Sequence, residues 1–370
     1  MKILMCCPDW FPFSAGLAQS CYELCKQFEK QGHQVKILVA KDQGLEEKGL
    51  EVIALPYITR LLGRNPLFFH LYQKIKDYLS WADVVCVFSY MYLMNSSIVS
   101  LRKKGKYSKP LIHFYRGSLE STKQSHIGVL THFAKKIYDH TFAKPLFQDV
   151  DAIISNAKPA LKTIQEKYHT SPNKLFYVKN ALTLKEYVVQ KKKEKRVIFI
   201  GRLIKNKGVY FFPEIVKHIP SDWTFTIIDD GPLKNFVEAL QKKYPNIELL
   251  GKVSHEKLLN ILNHSSLLIL PTYAEGSPRA VMEASACGVP SIAFSVGDVP
   301  HMIPQGTGYP IPPFDIDLFC KKIGYLVTHP KEREEMGKKA RVFAEKNLDW
   351  NIVYPQIEKI LQKTIKEYKP

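Results

Sequence analysis

The chain has 370 residues, 45% of them hydrophobic, which is enough for two domains of about 180 residues that each bury a core. Seven irregularly spaced cysteines argue against a disulfide framework, and no apolar run reaches the roughly 18 residues of a membrane-spanning helix. With no signal-peptide pattern after Met1, we expect a cytoplasmic protein. The net charge of +18 favours polyanionic partners such as anionic lipid, phosphorylated substrates or nucleic acid, without choosing among them.

Short apolar runs alternate with helical patterns along the first half of the chain. The runs are rich in Val, Ile, Phe and Tyr, which is typical of buried parallel strands. Strands are predicted at residues 2–7, 34–40, 51–57, 84–90, 110–116, 152–156 and 175–180. The segment from Leu17 to Gly32 has helical periodicity, and glycine is the residue type that commonly ends a helix.

The charged stretch at 190–195 predicts a linker, and the alternation restarts after it. Further strands are predicted at 196–201, 224–229, 247–251, 267–271 and 291–295, with terminal helices at 332–346 and 350–368. Two such series predict an α/β protein with two Rossmann-like, doubly wound domains facing a central cleft. We place the domains at 1–188 and 189–348, followed by a helix at 349–370 that crosses back to the first domain.

Two glutamates flank the start of one predicted helix in the second half. The helix begins near Ser277 and Pro278, since proline suits the first turn, and it ends at Gly288. Glu275 precedes this helix and Glu283 lies within it. Free amides at a helix start attract an anion, and carboxylates accept hydrogen bonds from sugar and ribose hydroxyls. The alternative is an ordinary helix with a capping glutamate.

This segment, with EGSP before the helix and EASACGVP within and after it, resembles the E-x7-E motif of the family 4 retaining glycosyltransferases. That family has the GT-B fold, and the resemblance covers nearly the whole chain. It implies that Glu283 binds the ribose of a nucleotide-sugar donor and that Glu275 lies at the donor sugar as a catalytic residue. Gly276, Ser277 and Pro278 are implied donor contacts. The second domain would then bind the donor, and the first would bind the acceptor.

A basic loop follows the first strand of the second half and carries Arg202 and Lys207. In the family, the pattern G-R-x4-K-G binds the donor diphosphate. The charges suit that role, because a nucleoside diphosphate leaves as an anion that fixed cations must stabilise when no metal does so. The sequence has no Asp/Asn-rich metal cluster, so we expect a metal-independent reaction without a cofactor. Alone, the loop could be an ordinary basic turn.

Two further loops match the family more weakly. Asp230 and Gly231 resemble part of a glycine-rich turn of the family, although Asp229 stands where glycine is usual. Lys252 and Val253 resemble the loop that meets the nucleotide base through backbone atoms. Both stretches are predicted donor contacts, and both could equally be plain turns.

The first half departs from the family pattern at two predicted strand ends. Where the family has two glycines near the transferred sugar and phosphate, this chain has Ala15 and Gly16, which leaves Gly16 as the expected contact. Many members have a histidine before a glycine near the reacting centre, but here that position is Arg116. His113 lies three residues earlier, inside a predicted strand. Three alternatives stay open: Arg116 acts at the reacting centre, His113 acts there, or neither residue does.

The residues and the resemblance together predict a hexosyl- or N-acetylhexosaminyl-type glycosyltransferase. It would move a sugar with retention from a nucleoside diphosphate, UDP-sugar being favoured over GDP-sugar, to a hydroxyl of a glycan or lipid-linked glycan. Cell-surface polysaccharide or lipopolysaccharide biosynthesis is the expected context. The alternative is a non-catalytic nucleotide-sugar- or glycan-binding protein. A dinucleotide oxidoreductase would need a G-x-G-x-x-G after the first strand, and no motif indicates nucleic-acid binding.

Two segments mix aromatic residues with cations, at 60–76 and 127–147, the latter with Lys135, Lys136 and Lys144. Such segments can lie in a bilayer interface, so an anionic membrane surface at the inner face of the plasma membrane is a predicted partner. An amphipathic helix packed on its own sheet would have the same composition.

Overall fold

The computed structural model describes residues 1–12, 15–61, 65–90, 92–117, 138–191 and 193–369. Its chain divides into two compact units. The described residues up to 180 and those from Tyr354 onward form the first unit, and Ala181–Val353 form the second. Among the described helices, none is long and apolar enough to cross a membrane.

A parallel sheet of seven described strands forms the centre of the first unit. The strands are β1 (Lys2–Cys6), β2 (Gln34–Ala40), β3 (Glu51–Leu55), β6 (Val84–Phe88), β7 (Leu111–Tyr115), β8 (Ala152–Ser155) and β9 (Leu175–Tyr177), in the order β3-β2-β1-β6-β7-β8-β9. A short antiparallel hairpin, β4 (Arg60–Leu61) and β5 (Asn65–Pro66), is separate from this sheet.

Helices connect the strands of the first unit. They are Ala15–Lys30, Leu71–Trp81, Leu93–Lys103, Lys144–Gln148 and Lys158–Tyr168, with a π-helical turn at Asp139–Ala143 and a 3₁₀ turn at Pro172–Lys174. Strand side chains such as Ile3, Val87 and Ile112 are fully buried, as expected where helices cover both faces of a parallel sheet. The first helix ends at Lys30, and Gly32 just beyond it has a φ of 82°, the left-handed conformation that glycine adopts at low cost.

The second unit is built around six described parallel strands. They are β10 (Arg196–Ile200), β11 (Thr224–Ile228), β12 (Ile247–Gly251), β13 (Leu267–Leu270), β14 (Ser291–Phe294) and β15 (Gly308–Ile311), in the order β12-β11-β10-β13-β14-β15. Phe199, Phe212 and Phe225 pack edge to face in its core, with ring centroids 5.0 and 5.2 Å apart.

Helices also connect the strands of the second unit. They are Phe212–Val216, Lys234–Lys243, His255–His264, Arg279–Ala286, Val299–Met302, Ile316–Thr328, Pro330–Asn347 and the first residues of Trp350–Glu367, with 3₁₀ turns at Leu184–Glu186, Lys205–Lys207 and Val209–Phe211.

The prediction of two Rossmann-like, doubly wound parallel sheets is confirmed. Each predicted strand is present, with ends that differ by at most a few residues. The sequence did not indicate β15, because its segment is short and contains a proline, which an edge strand tolerates. It also did not indicate the β4–β5 hairpin, whose strands have two residues each.

The division between the units lies after residue 180 rather than after residue 188. Leu182 and Tyr187 are buried in the core of the second unit, so the chain joins that unit earlier than its composition indicates. The stretch predicted as a linker also contacts the second unit, through Lys193. Lys193 Nζ donates to the carbonyl oxygens of Asn263 at 2.6 Å and Cys287 at 2.9 Å, and burial lowers the pKa of Lys193 to about 8.

The C-terminal helix Trp350–Glu367 begins in the second unit, and its residues from Tyr354 onward pack on the first unit. The Tyr354 ring lies 6.0 Å from the Phe28 ring, centroid to centroid. His33 Nε2 contacts the Tyr354 hydroxyl at 2.8 Å and Glu358 Oε2 at 3.2 Å. The end of the chain is thus held to the first unit by aromatic packing and by hydrogen bonds.

Two helical glycines of the second unit give opposite expectations for substitution by alanine. A Cβ on Gly337 would lie 2.3 Å from the Gly288 carbonyl oxygen, whereas a Cβ on Gly324 would meet nothing within 4 Å. We expect Gly337→Ala to lower the free energy of unfolding by about 1–3 kcal/mol through overpacking. Gly324→Ala, the matched control, should raise it by about 0.5–1 kcal/mol through helix propensity. Urea unfolding of both variants checks this, and equal effects would contradict the close helix contact.

Candidate functional site

The predicted donor residues lie in loops at the carboxyl edge of the second sheet. β10 lies at the centre of this sheet, between β11 and β13. The strand order reverses there, because β13 follows β12 in the chain but pairs with β10. Doubly wound sheets bind ligands at such a reversal, just beyond the strand ends. The loops that follow β10 and β13 flank this point.

Backbone contacts join these two loops. Gly208 has φ 73°, and a Cβ there would lie only 1.9 Å from the Pro271 carbonyl oxygen. The Asn206 carbonyl oxygen accepts hydrogen bonds from the Tyr273 amide at 2.8 Å and the Thr272 hydroxyl at 3.0 Å. Only glycine allows this approach. Steric contact with the backbone therefore explains why Gly208, the last residue of the family's G-R-x4-K-G pattern, is a glycine.

The same contacts bring Lys207 to Glu275, 68 residues further along the chain, where the two side chains form an ion pair. The side chains are 25% and 13% exposed, so solvent screens this pair less than a fully exposed one. The family resemblance implies that Lys207 binds the donor diphosphate and that Glu275 lies at the donor sugar. Without a ligand, these two groups neutralise each other.

A neighbouring loop fixes the backbone around Glu275. Gly297 has φ 54°, and a Cβ there would lie 1.9 Å from the Glu275 carbonyl oxygen. The amide of the buried Asp298 donates to the Gly276 carbonyl oxygen at 2.8 Å. The turn after β14 therefore packs directly on the segment that carries Glu275 and Gly276.

Ser277 and Pro278 lead into the helix Arg279–Ala286, whose N-cap is Pro278. Pro278 is buried, and Ser277 Oγ donates to the Met302 sulfur at 3.2 Å. The helix ends before Gly288, whose φ is 64°. The predicted start and end of this helix are thus correct to within about two residues.

Glu283 is 3% exposed and is nevertheless held as a carboxylate. Its Oε1 accepts from Arg279 Nε at 2.8 Å and lies 3.5 Å from both His255 Nε2 and the Tyr187 hydroxyl. Burial alone would raise the pKa of Glu283. The contacts with His255 and Arg279 outweigh burial, and the pKa is lowered below its ordinary value.

Arg202 lies in the loop after β10 with its side chain exposed. Among the described residues, its guanidinium takes part in no hydrogen bond or ion pair. It is therefore available to an anion at this edge of the sheet, in contrast to Lys207, which Glu275 already neutralises.

The turn after β11 places Asp230 and Gly231 against the loop that carries Arg202. The Asp230 carbonyl oxygen accepts from the Leu203 amide at 2.9 Å, and a Cβ on Gly231 would lie 2.6 Å from the Leu203 carbonyl oxygen. Asp229, which stands where the family has glycine, has φ 113°, a conformation that L-residues rarely adopt. Its Oδ1 accepts from the Asp230 amide at 2.8 Å, a local hydrogen bond within the turn.

Lys252 and Val253 follow β12. Lys252 is exposed, whereas Val253 is partly buried against the core of the second unit. Ser254 then caps the helix His255–His264, its hydroxyl accepting from the Lys257 amide at 3.3 Å.

In the first unit, Gly16 lies in the first turn of the helix Ala15–Lys30 and is exposed. A Cβ there would meet nothing within 4 Å, so this conformation does not by itself require glycine. The two residues just before this helix, Phe13 and Ser14, lie outside the described residues.

Arg116 follows β7 at the carboxyl edge of the first sheet. Its Nη1 donates to the carbonyl oxygens of Tyr115 at 3.1 Å and Ile154 at 3.2 Å, and its guanidinium lies 5.4 and 5.7 Å from the Phe88 and Phe114 rings. Its buried Nε has no hydrogen-bond partner among the described residues. Burial lowers the pKa of Arg116 to about 10, so it remains a cation at neutral pH.

His113 lies within β7 and is fully buried. Its Nδ1 lies 3.0 Å from the Leu146 carbonyl oxygen and its Nε2 lies 3.1 Å from that of Ser89. Burial lowers the pKa of His113 to about 4, although both backbone contacts oppose this shift. The ring is therefore neutral at pH 7, in the environment of a core histidine.

Sequence reasoning missed the groups around Glu283. Arg279 precedes Glu283 by four residues in the same helix, and this i,i+4 spacing could have revealed it. His255 and Tyr187 come from other segments, and only the tertiary structure brings them to the carboxylate. Among the described residues, no group of three or more His, Cys, Asp or Glu could hold a metal ion.

Two doubly wound parallel sheets in one chain are the architecture of the GT-B fold, which this chain shares with solved structures at TM-scores of 0.75–0.78. Residues 183–343 match the family model of glycosyl transferases group 1, and residues 14–186 match that of glycosyltransferase family 4. The chain is therefore a glycosyltransferase of the family 4 type.

Individual relatives agree with this assignment. An uncharacterized glycosyltransferase of Methanocaldococcus jannaschii is 23% identical over 98% of both chains. The GPI3 subunit of the Saccharomyces cerevisiae phosphatidylinositol N-acetylglucosaminyltransferase is 22% identical over 82% of this chain and 70% of its own length. The solved structure of Anabaena HepE in complex with UDP covers 98% of this chain and all of its own, with a TM-score of 0.77 at 15% identity, and so shares the fold.

The environment of His113 predicts a pH dependence of stability. Because its pKa is lowered from 6.5 to about 4, unfolding takes up a proton at intermediate pH. The free energy of unfolding should therefore fall as pH is lowered from about 6.5 to 4. His113→Phe should flatten this slope in urea unfolding. His169→Asn, at an exposed histidine of the same unit, should leave it unchanged, and an unaltered slope in His113→Phe would contradict the assignment.

Proposed function

We propose that this protein transfers a sugar from a nucleoside-diphosphate donor bound at the carboxyl edge of its second sheet. The observation that carries the proposal is the meeting of Lys207 and Glu275 at the strand reversal, beside the exposed Arg202. Glu283, a buried carboxylate held ionised, belongs to the helix that follows Glu275. A donor with an anionic diphosphate and hydroxyl-bearing sugars offers a partner for each of these groups.

In the proposed reaction, the bond between the anomeric carbon and the diphosphate oxygen breaks while the acceptor oxygen forms the new glycosidic bond, and the proton of the acceptor hydroxyl passes to the departing diphosphate oxygen. Negative charge grows on the leaving diphosphate, where Arg202 and Lys207 stabilise it without a metal. As the diphosphate draws Lys207, Glu275 is released to accept hydrogen bonds from the donor sugar. Glu283 accepts from the ribose. We further propose retention at the anomeric carbon, in keeping with the E-x7-E motif.

The relatives support a narrower choice of substrates. HepE has been solved with UDP, and the yeast relative is named for N-acetylglucosaminyl transfer to phosphatidylinositol. We therefore propose a UDP-linked hexose or N-acetylhexosamine as donor and a glycan or lipid-linked glycan as acceptor. Cell-surface polysaccharide or lipopolysaccharide synthesis is the corresponding context. Nucleotide binding without any transfer would instead favour a non-catalytic binding protein.

A membrane-bound acceptor agrees with the surface of the first unit. Ile58 and Phe69 beside the β4–β5 hairpin are 68% and 62% exposed, and Leu61 within it is 44% exposed. The predicted membrane segment, residues 60–76, contains four Lys/Arg and no Asp/Glu. We propose that this segment contacts anionic lipid. Most of the other predicted membrane segment, residues 127–137, lies outside the described residues.

Binding of UDP tests the donor site. Arg202→Ala and Lys207→Ala should each weaken UDP at least about tenfold in calorimetry, because each removes a cation that faces the diphosphate. Lys205→Ala removes an exposed cation from the same loop and is the matched control, with an expected change below about twofold. Unchanged affinity in both variants, or no binding of UDP, GDP or ADP to the wild type, would count against a donor site here.

Vesicle co-sedimentation tests the membrane contact. The double variant Ile58→Glu with Phe69→Glu should lose most binding to vesicles that contain an anionic phospholipid, because it replaces exposed apolar side chains with anions. Val342→Glu changes a 46% exposed apolar residue of the second unit and should bind as the wild type does. If the wild type does not bind at low salt, the membrane proposal is wrong, whatever the transferase activity.

A further inference from the structure

Glu283 is the buried carboxylate of the second unit whose surroundings the sequence did not indicate. We propose that Arg279 and His255 are positioning residues that hold Glu283 ionised and direct its Oε2 toward the donor ribose. The inference rests on the proposed function for its ligand, but its electrostatic part can be measured without any donor.

The first observation is the asymmetry of the contacts with the carboxylate. Arg279 Nε, His255 Nε2 and the Tyr187 hydroxyl, which come from three separate segments, all contact Oε1. Among the described residues, no hydrogen bond or ion pair ends on Oε2. One oxygen of Glu283 is thus occupied by the protein, and the other keeps its capacity to accept hydrogen bonds from a ligand.

The second observation is the protonation state. Burial of a lone carboxyl favours its neutral form, in which one oxygen carries a proton and accepts more weakly. Three groups face Glu283. Arg279 lies on the same helix as Glu283, His255 lies on the helix His255–His264, and Tyr187 lies on the segment that precedes β10. Arg279 is always charged, whereas His255 carries charge only when protonated. Arg279 is therefore expected to have the larger effect at neutral pH.

The third observation is that the two helices are joined at their C-terminal ends. Lys193 Nζ donates to Asn263 in the helix His255–His264 and to Cys287, which ends the helix of Glu283. Arg341 Nη1 donates to Ala286 and, at 2.8 Å, to the carbonyl oxygen of Tyr187. These cations fix the helices and the Tyr187 segment relative to one another, so the groups around Oε1 are built into the fold.

The donor-free test is a titration of Glu283 by carboxyl ¹³C NMR. In the wild type, Glu283 should ionise below the ordinary glutamate range. Arg279→Met removes the charge and retains much of the side-chain length, so it should raise the pKa of Glu283 above that range, since burial then dominates. Arg279→Lys retains a positive charge and should therefore restore part of the lowering of the Glu283 pKa. Lys338→Met, which removes an exposed i,i+4 ion pair with Glu334, should leave it unchanged. An unshifted pKa in Arg279→Met would overturn the inference.

The donor-dependent test compares UDP with 2′,3′-dideoxy-UDP by calorimetry. Arg279→Met and His255→Gln should weaken UDP, about tenfold and about threefold respectively, and both should leave the dideoxy analogue within about twofold of the wild-type affinity. Equal losses for both ligands would overturn the inference, because they would mean a contact with the diphosphate or a general loss of structure. If Glu283→Gln binds both ligands as tightly as the wild type, the ribose assignment of the proposed function fails, whereas the titration still decides the electrostatic part.

Discussion

The ion pair between Lys207 and Glu275 is the contact on which the organisation of the second unit's site depends. It requires the loops after β10 and β13 to approach each other, which happens only because these strands are neighbours in the sheet. Gly208 permits this approach by placing backbone directly against backbone. The order of the parallel strands and Gly208 thus bring a cation and a carboxylate together. A ligand that carries both anionic and hydroxyl groups, as proposed above, would complement both charges.

Charge is distributed unevenly around this ion pair. Arg202 is exposed and unengaged among the described residues, whereas Glu283 is buried and surrounded by donors. In the proposed donor complex, an incoming diphosphate would meet this exposed cation first, and the buried carboxylate would be fixed before the ligand arrives. Such preorganisation costs little at the moment of reaction, because the groups need not be reoriented or stripped of water.

Much of the fold, and part of the candidate site, could be predicted from the sequence for physical reasons. Buried parallel strands are continuous apolar runs, so both sheets could be found, and glycine and proline marked the ends of the helix that carries Glu283. β15 was missed because four residues with an internal proline have no strand pattern. The stretch around Lys193 was predicted to be a linker because its local composition is charged. The carbonyl oxygens to which Lys193 donates lie 70 and 94 residues away in the chain, so the local sequence does not indicate this contact. His255 was missed for the same reason, since its contact with Glu283 is tertiary.

The central claim is that the carboxyl edge of the second sheet binds a nucleotide-sugar donor, and a crystal structure with UDP tests it most directly. The account predicts the diphosphate against Arg202 and Lys207, with the Lys207–Glu275 ion pair opened and the ribose hydroxyls at Oε2 of Glu283. UDP bound elsewhere, or bound here with that ion pair intact and Glu283 out of reach of the ribose, would contradict it.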